Sequence, residues 1–508
     1  MSTVPQVSTV ALRAFDEALS TLHQCSLEDP AAPPPLLLRA FAAQGPGEVS
    51  RPLELRSRPG RPPPPAERTT PPEPSSPAGV GSVTARDAIG SGTAATELVV
   101  ASLAALQATV GLGALVAVDE RAALREAAAM DSERAAGHLR GPLHGVPITV
   151  KDILNVAGLP TAAGSIAYLD HPKVDADAVA ILRSAGAIVL GKAATHEFAL
   201  GVTCPSCANP HDPARLAGGS SGGSAVAVAT GVGLASLGTD TRASLRVPAA
   251  LCGVVGFKPS FGRVPTRGVV PLSWTMDHVG PIARTVEDAA LVLGVLCGDH
   301  QLSARLNGSA RGVVIGVPDE VLGDADAAVA EVTEAALTTL ERLGARIVSV
   351  ERPRLADLRR ANALGLLISR AEAATFHRSL GTDIARCMPE VRDQLSAGLA
   401  VPAADYLDAQ KQRQILSEQV LTSFEQCDAV VTPTCPIVAP LREDYEQCLL
   451  RLSLNTILWS LIGNPALSMP SGTVDGLPVA IQFAGPRHTE ARLANIGVAL
   501  ERALGPIR

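Results

Sequence analysis

No apolar run in this chain reaches the length of a membrane span, so nothing in it predicts insertion into a bilayer. The first twenty residues, MSTVPQVSTVALRAFDEALS, lack a basic stretch followed by an apolar core. They do not read as a secretory signal, and the expected location is the cytoplasm. No basic patch recurs, and the 43 Lys and Arg are outnumbered by 50 Asp and Glu. That balance argues against nucleic acid as the main partner. The nine cysteines follow no disulfide framework, and most are expected reduced and buried. One pair is close, in CPSC from Cys204 to Cys207. A redox or zinc site there needs a thioredoxin-like context or a second pair of ligands. Asn209 and His211 do not complete one, and a tight loop is the plainer reading.

What is abundant is Ala, Val, Leu, Gly and Pro, the composition of a large globular core. The prolines are unevenly spread. Residues 1–44 read as a short helical extension, with an amphipathic pattern over 8–24. Residues 45–91 read as a Pro-rich linker without regular structure, because proline removes backbone donors and fixes φ. Its PPPP segment would suit an SH3-type groove, but a plain spacer has the same composition. From residue 92 to 508 we expect one large domain. TELVVASLAALQATV and ERAALREAAAMDSERAAG read as helices. GALVAVD, HGVPITVKD, AIVLGK, GVVGFKP, GVVIGVP, ARIVSVE, DAVVTPT and PVAIQFAG read as strands. Most of these strands do not alternate, as expected when both faces are buried. Strands and helices in turn imply a layered α/β fold.

The stretch GGSSGGSAVAVATG, from Gly218 to Gly231, poses the functional question. A linker would stay polar, but this one runs into a helix of small apolar residues. A phosphate loop is one reading, since glycines admit close approach and a helix N-terminus offers free N–H groups. The stretch lacks the G-K-[ST] ending that would bring a lysine to the phosphate. Nucleophilic catalysis is another reading, and serine then needs a base. No histidine or nucleophile elbow accompanies this one. Lys151, at the end of the apolar run HGVPITVK, would serve if burial lowered its pKa toward neutrality. A lysine at a strand end more often simply surfaces to solvent. Ser244 follows in GTDTRASLRVPAALCGVVGFKPS, with polar residues before it and an apolar run after it.

The stretch from Gly218 to Pro259 resembles the amidase signature family, whose members carry GGSSGG followed by GTDxxGSxRxPA. HGVPITVKD resembles that family's lysine strand. NPHDPARLAGGSSGGS, TMDHVGPIARTVEDAALVL, DAVVTPT and NPALSMPSG…GLPVAIQFAG look like family segments in family order. The resemblance runs from about Thr93 to Arg508. It implies one large domain with a central mixed β-sheet flanked by helices. It also implies a Ser–cis-Ser–Lys triad, with Lys151 as base, Ser220 as the bridging serine after a cis peptide, and Ser244 as nucleophile. Backbone N–H groups of Thr241, Arg242, Ala243 and Ser244 would form the oxyanion hole. Ser221, Asp240 and Arg246 match supporting positions. The implied activity is hydrolysis of a linear carboxamide, with a small-molecule amide as substrate and no metal or cofactor. Resemblance to the glutamyl-tRNA(Gln) amidotransferase A subunit keeps a glutamine-hydrolysing role with a partner subunit open. A homodimer also fits.

Two departures stand out. Family members commonly have glycine before the nucleophile, often a pair, where this chain has Arg242 and Ala243. If that backbone needs positive φ, Ala243 would displace an oxyanion donor. A catalytically impaired homologue that acts as a binding protein is then the alternative. The segment GVTCPSCANPHDPARLAG is also shorter than in many relatives, so the substrate does not transfer by analogy.

Overall fold

A computed structural model describes residues 84–299 and 301–506. The amphipathic helix expected at 8–24, and the Pro-rich tract up to residue 83, lie outside the described residues. The end of the expected linker is a finding against expectation, because Ala85–Ser91 form a helix. The last proline of the tract is Pro77, so the donors of this segment are intact. Thr84 caps the helix by accepting from the Asp87 N–H at 3.0 Å, and Gly92 ends it with φ +67°. The carboxylate of Asp288 accepts the N–H groups of Ala85 and Arg86 at 3.0 and 2.9 Å, which fastens the helix to the domain.

The rest is built on one mixed sheet of eleven strands among the described residues, flanked by helices. The strands are β1 (Leu115–Val118), β2 (Pro147–Lys151), β3 (Ile188–Ala193), β4 (Ala235–Asp240), β5 (Val255–Lys258) and β6 (His278–Ala283). They continue with β7 (Val314–Val317), β8 (Arg346–Ser349), β9 (Ala429–Pro433), β10 (Ala466–Val474) and β11 (Leu477–Ala484). Their order is β1-β3-β2-β4-β6-β5-β10-β11-β9-β7-β8. The pairs β3–β2, β2–β4, β9–β7 and β7–β8 are parallel. The remaining pairs are antiparallel. Every residue of β2, β3, β4 and β6 is buried, whereas the edge strands β1 and β8 are partly exposed. This is why the central strands read as continuous apolar runs.

All eight expected strands are present. Three more, β4, β6 and β10, carry the sequences ASLGTD, HVGPIA and ALSMPSGTV. Glycine, proline and aspartate inside them hide the strand pattern. The glycine of β6 has a packing reason. A Cβ on Gly280 would lie 2.4 Å from the Phe257 carbonyl of β5.

The small-residue helix Gly222–Ala229 packs on this sheet beside the helix Arg246–Cys252. A Cβ on Gly223 would lie 2.4 Å from the Ala194 nitrogen, so the helix start sits directly on the chain leaving β3. The result brings the end of β2, the end of β4 and the glycine loop together at the third and fourth strands of the sheet.

Candidate active site

Lys151 is the last residue of β2, and β2 runs parallel to β4 with Val150 opposite Leu237. The two strands therefore deliver Lys151, Thr239 and Asp240 to one place. The Lys151 Nζ donates to Ser220 Oγ at 2.7 Å and to Thr239 Oγ1 at 2.8 Å. The side chain is fully buried, not surfacing. Burial pushes the amine from 10.5 down to about 7, against the opposing pull of Asp240 and Asp277. A lysine of that pKa is substantially neutral at physiological pH and can take a proton. Thr239 is a site residue that sequence reasoning misses. It lies in β4, a strand that the glycine at 238 conceals.

The glycine pair before the serines has steric causes. Gly218 has φ +74°. A Cβ on Gly219 would lie 1.9 Å from the Thr203 carbonyl oxygen, so no side chain fits there. The Gly219–Ser220 peptide is cis, as the resemblance implies. The doubled serines then divide their contacts. Ser220 faces the amine of Lys151. Ser221 donates from Oγ to the Thr239 carbonyl at 3.2 Å, and its N–H donates to the Ser244 carbonyl at 3.3 Å.

That last bond holds Ser244 beside the serine pair. No hydrogen bond joins the Ser220 and Ser244 hydroxyls themselves. Ser244 sits in the turn between β4 and the helix Arg246–Cys252. It is 4 % exposed, while Lys151 and Ser220 are at 0 %. Access thus decreases from Ser244 inward.

Ala243 does not have a positive φ. It is fully buried in an apolar cluster that includes Val202, Leu216, Val247 and Leu251. An alanine is accommodated there without left-handed strain. Among the described residues, the N–H groups of Thr241, Arg242, Ala243 and Ser244 meet no acceptor. The Thr241 hydroxyl donates to Asp277 Oδ1 at 2.5 Å. Burial pushes the Asp277 carboxyl up to about 6, against the hydrogen bonds from Thr241, Ser273 and Leu272.

Asp240 and Arg246 form a fully buried pair beneath the turn. Arg246 Nε donates to Asp240 Oδ2 at 2.9 Å, and its Nη2 donates to Oδ1 at 3.0 Å. The guanidinium also donates to Gln482 Oε1 at 2.7 Å, the Thr456 carbonyl at 2.8 Å and Ser460 Oγ at 2.7 Å. Burial acts to raise the Asp240 carboxyl, but the Arg246 charge and hydrogen bonds outweigh it and hold it far below the usual range. Asp240 Oδ2 also accepts the Leu245 N–H at 3.2 Å, which fixes the backbone just after Ser244.

The other conspicuous residues stand apart. The His278 ring bonds the Asp240 carbonyl at 3.0 Å, and His196 donates its backbone N–H to the Ser220 carbonyl at 3.2 Å, but the imidazole rings of His278, His196 and His377 bond to none of Lys151, Ser220 and Ser244. Phe198 is core, its ring tilted against that of His377 with centroids 4.1 Å apart, and Trp274 is 50 % exposed. In the CPSC loop, the Cys204 and Cys207 thiols lie buried 2.8 Å apart as free cysteines.

The sequence model of the amidase family matches residues 96–494. The chain belongs to the amidase family. That places it among enzymes that act on carbon–nitrogen bonds. Over 463 residues it is 41 % identical to the A subunit of the glutamyl-tRNA(Gln) amidotransferase from Anaeromyxobacter sp. strain K, covering 81 % of this chain and 93 % of that one. It superposes on the crystal structure of an amidase with a TM-score of 0.76 at 38 % identity, covering 83 % of this chain and 99 % of the other. The peptide amidase from Stenotrophomonas maltophilia gives a TM-score of 0.73 at 30 % identity, with 84 % and 98 % covered. No helix among the described residues is long and apolar enough to cross a membrane.

Proposed function

We propose that this protein hydrolyses a carboxamide to a carboxylate and ammonia or an amine, through Lys151, Ser220 and Ser244. The observation that carries the reading is the buried Lys151 amine donating to Ser220 at 2.7 Å. Neutral Lys151 takes the Ser220 proton as Ser220 takes that of Ser244. Ser244 Oγ bonds to the amide carbon, and the carbonyl oxygen becomes an oxyanion. The free N–H groups of residues 241–244 would hold it, each worth about 10²–10³ in rate. The proton returns through Ser220 to the nitrogen, the C–N bond breaks and the amine departs. Water then repeats the sequence on the acyl-serine and releases the carboxylate. The scheme requires no metal or cofactor, and its substrate is a small amide.

The 41 % identity to an amidotransferase A subunit favours a second reading. In it, the same serine releases ammonia from glutamine for a partner subunit. Glutaminase activity that rises when a partner is added would favour that role.

A fluorophosphonate probe tests the shared chemistry without knowledge of the substrate. Peptide mass spectrometry should find the adduct on Ser244. Lys151→Ala should slow labelling, and labelling of the native protein should fall as pH drops below about 7, where Lys151 becomes charged. A folded protein that takes no adduct, or takes it elsewhere, would overturn the assignment of the nucleophile.

A further inference from the structure

Four arginines among the described residues are buried. Arg246 pairs with Asp240, and Arg360 donates to Gln412 Oε1. The other two have no carboxylate partner. Arg242 is two residues before Ser244 and 8 % exposed, and Arg370 is 7 % exposed. Neither forms an ion pair with any described carboxylate. Arg242 Nη2 donates to Asn362 Oδ1, and Arg370 Nη1 donates to Ser369 Oγ at 3.0 Å. The Nε of each is buried with no partner.

Asn362 and Arg370 lie on one helix, Leu355–Leu380, eight residues apart and hence on one face. Arg242 meets that face through Asn362. The two guanidiniums are close enough to act on each other, and Tyr445 is the other charged or titratable neighbour of Arg370. Burial pushes Arg242 down to about 10, and burial together with Arg242 pushes Arg370 well below its usual range. Two cations held this way repel, and each carries a buried donor with no acceptor among the described residues. An anion between them would satisfy both. Arginine suits that role because its planar fork matches a carboxylate.

We propose that Arg242 and Arg370 form a carboxylate-binding subsite beside Ser244, and that the substrate is an amide bearing a carboxylate, as in the monoamide of a dicarboxylic acid. The inference rests on the amidase reading above. Arg242, which breaks the glycine pair of the family pattern, would then select the substrate.

Binding can be measured without turnover, in Ser244→Ala by titration calorimetry. The probes are succinamate, glutaramate and adipamate, each against its neutral counterpart of equal carbon number, butyramide, valeramide and hexanamide. At least one carboxylate should bind tenfold or more tighter than its counterpart. Adding Arg370→Met should remove that preference, and Arg370→Lys should keep part of it. Thermal melts of the variants report folding independently. Equal affinity within every pair, no binding by any probe, or a preference that survives Arg370→Met would overturn the subsite. Labelling of Ser244 by the fluorophosphonate tests the amidase reading separately. Labelling without carboxylate preference would sink the subsite alone.

Discussion

Replacing Lys151 with methionine should abolish amide hydrolysis and yet stabilise the protein at neutral pH. The folded lysine titrates near 7 and an unfolded one near 10.5. At about 1.4 kcal/mol for each pH unit, keeping this amine buried costs about 4 kcal/mol at pH 7. Methionine fills similar space without that cost. It gives up the hydrogen bonds to Ser220 and Thr239, at about 1 kcal/mol each. The net gain is about 2 kcal/mol at pH 7. The sign changes with pH. A depressed lysine pKa means that the unfolded chain binds more protons between about 7 and 10.5. Stability of the native protein therefore rises across that window, as the unfolded lysine also loses its charge. Near pH 10.5 the cost falls below about 1 kcal/mol, and the native protein should be the more stable of the two. Urea titrations of both proteins at pH 7 and pH 10 measure this. A variant less stable at pH 7, or a difference independent of pH, would refute a buried, near-neutral Lys151.

Two further substitutions separate backbone from side chain near Ser244, the proposed nucleophile. Ala243→Gly should leave the rate of Ser244 labelling within about threefold and lower stability by about 0.5–1 kcal/mol, because φ at this site is already ordinary. A large gain in labelling would mean that the alanine displaces an oxyanion donor. Arg246→Met strands the Asp240 carboxylate in the interior and should destabilise by about 3–5 kcal/mol in chemical denaturation. A loss under about 1 kcal/mol would show that Asp240 is not charged there.

The fold was legible where burial is uniform. Runs such as PITVK and AIVLGK are buried on both faces and announce themselves by β-branched residues. β4 and β6 did not, because the positions nearest the site serve close packing and polar contact. Gly280 is forced by the neighbouring backbone, and Thr239 and Asp240 point at Lys151 and Arg246. The linear motifs led by resemblance to Lys151, Ser220 and Ser244 and to the supporting Ser221, Asp240 and Arg246, but not to Thr239. Asp277, Asn362 and Arg370 come from distant segments, with no local spacing to link them to Ser244. Ala243 shows the limit of pattern alone. Its departure from glycine matters only through φ, and only the backbone reveals φ.

The inward decline in exposure from Ser244 to Lys151 makes the base a closed store for one proton. In the proposed scheme, Lys151 meets solvent by no route of its own, and of its two buried hydroxyl partners, Ser220 and Thr239, Ser220 is the one that leads toward Ser244. The proton taken from the nucleophile is then the one handed to the departing nitrogen, not one drawn afresh from water. Bulk buffer acts on the reaction only by setting how many molecules begin a turnover with the store empty.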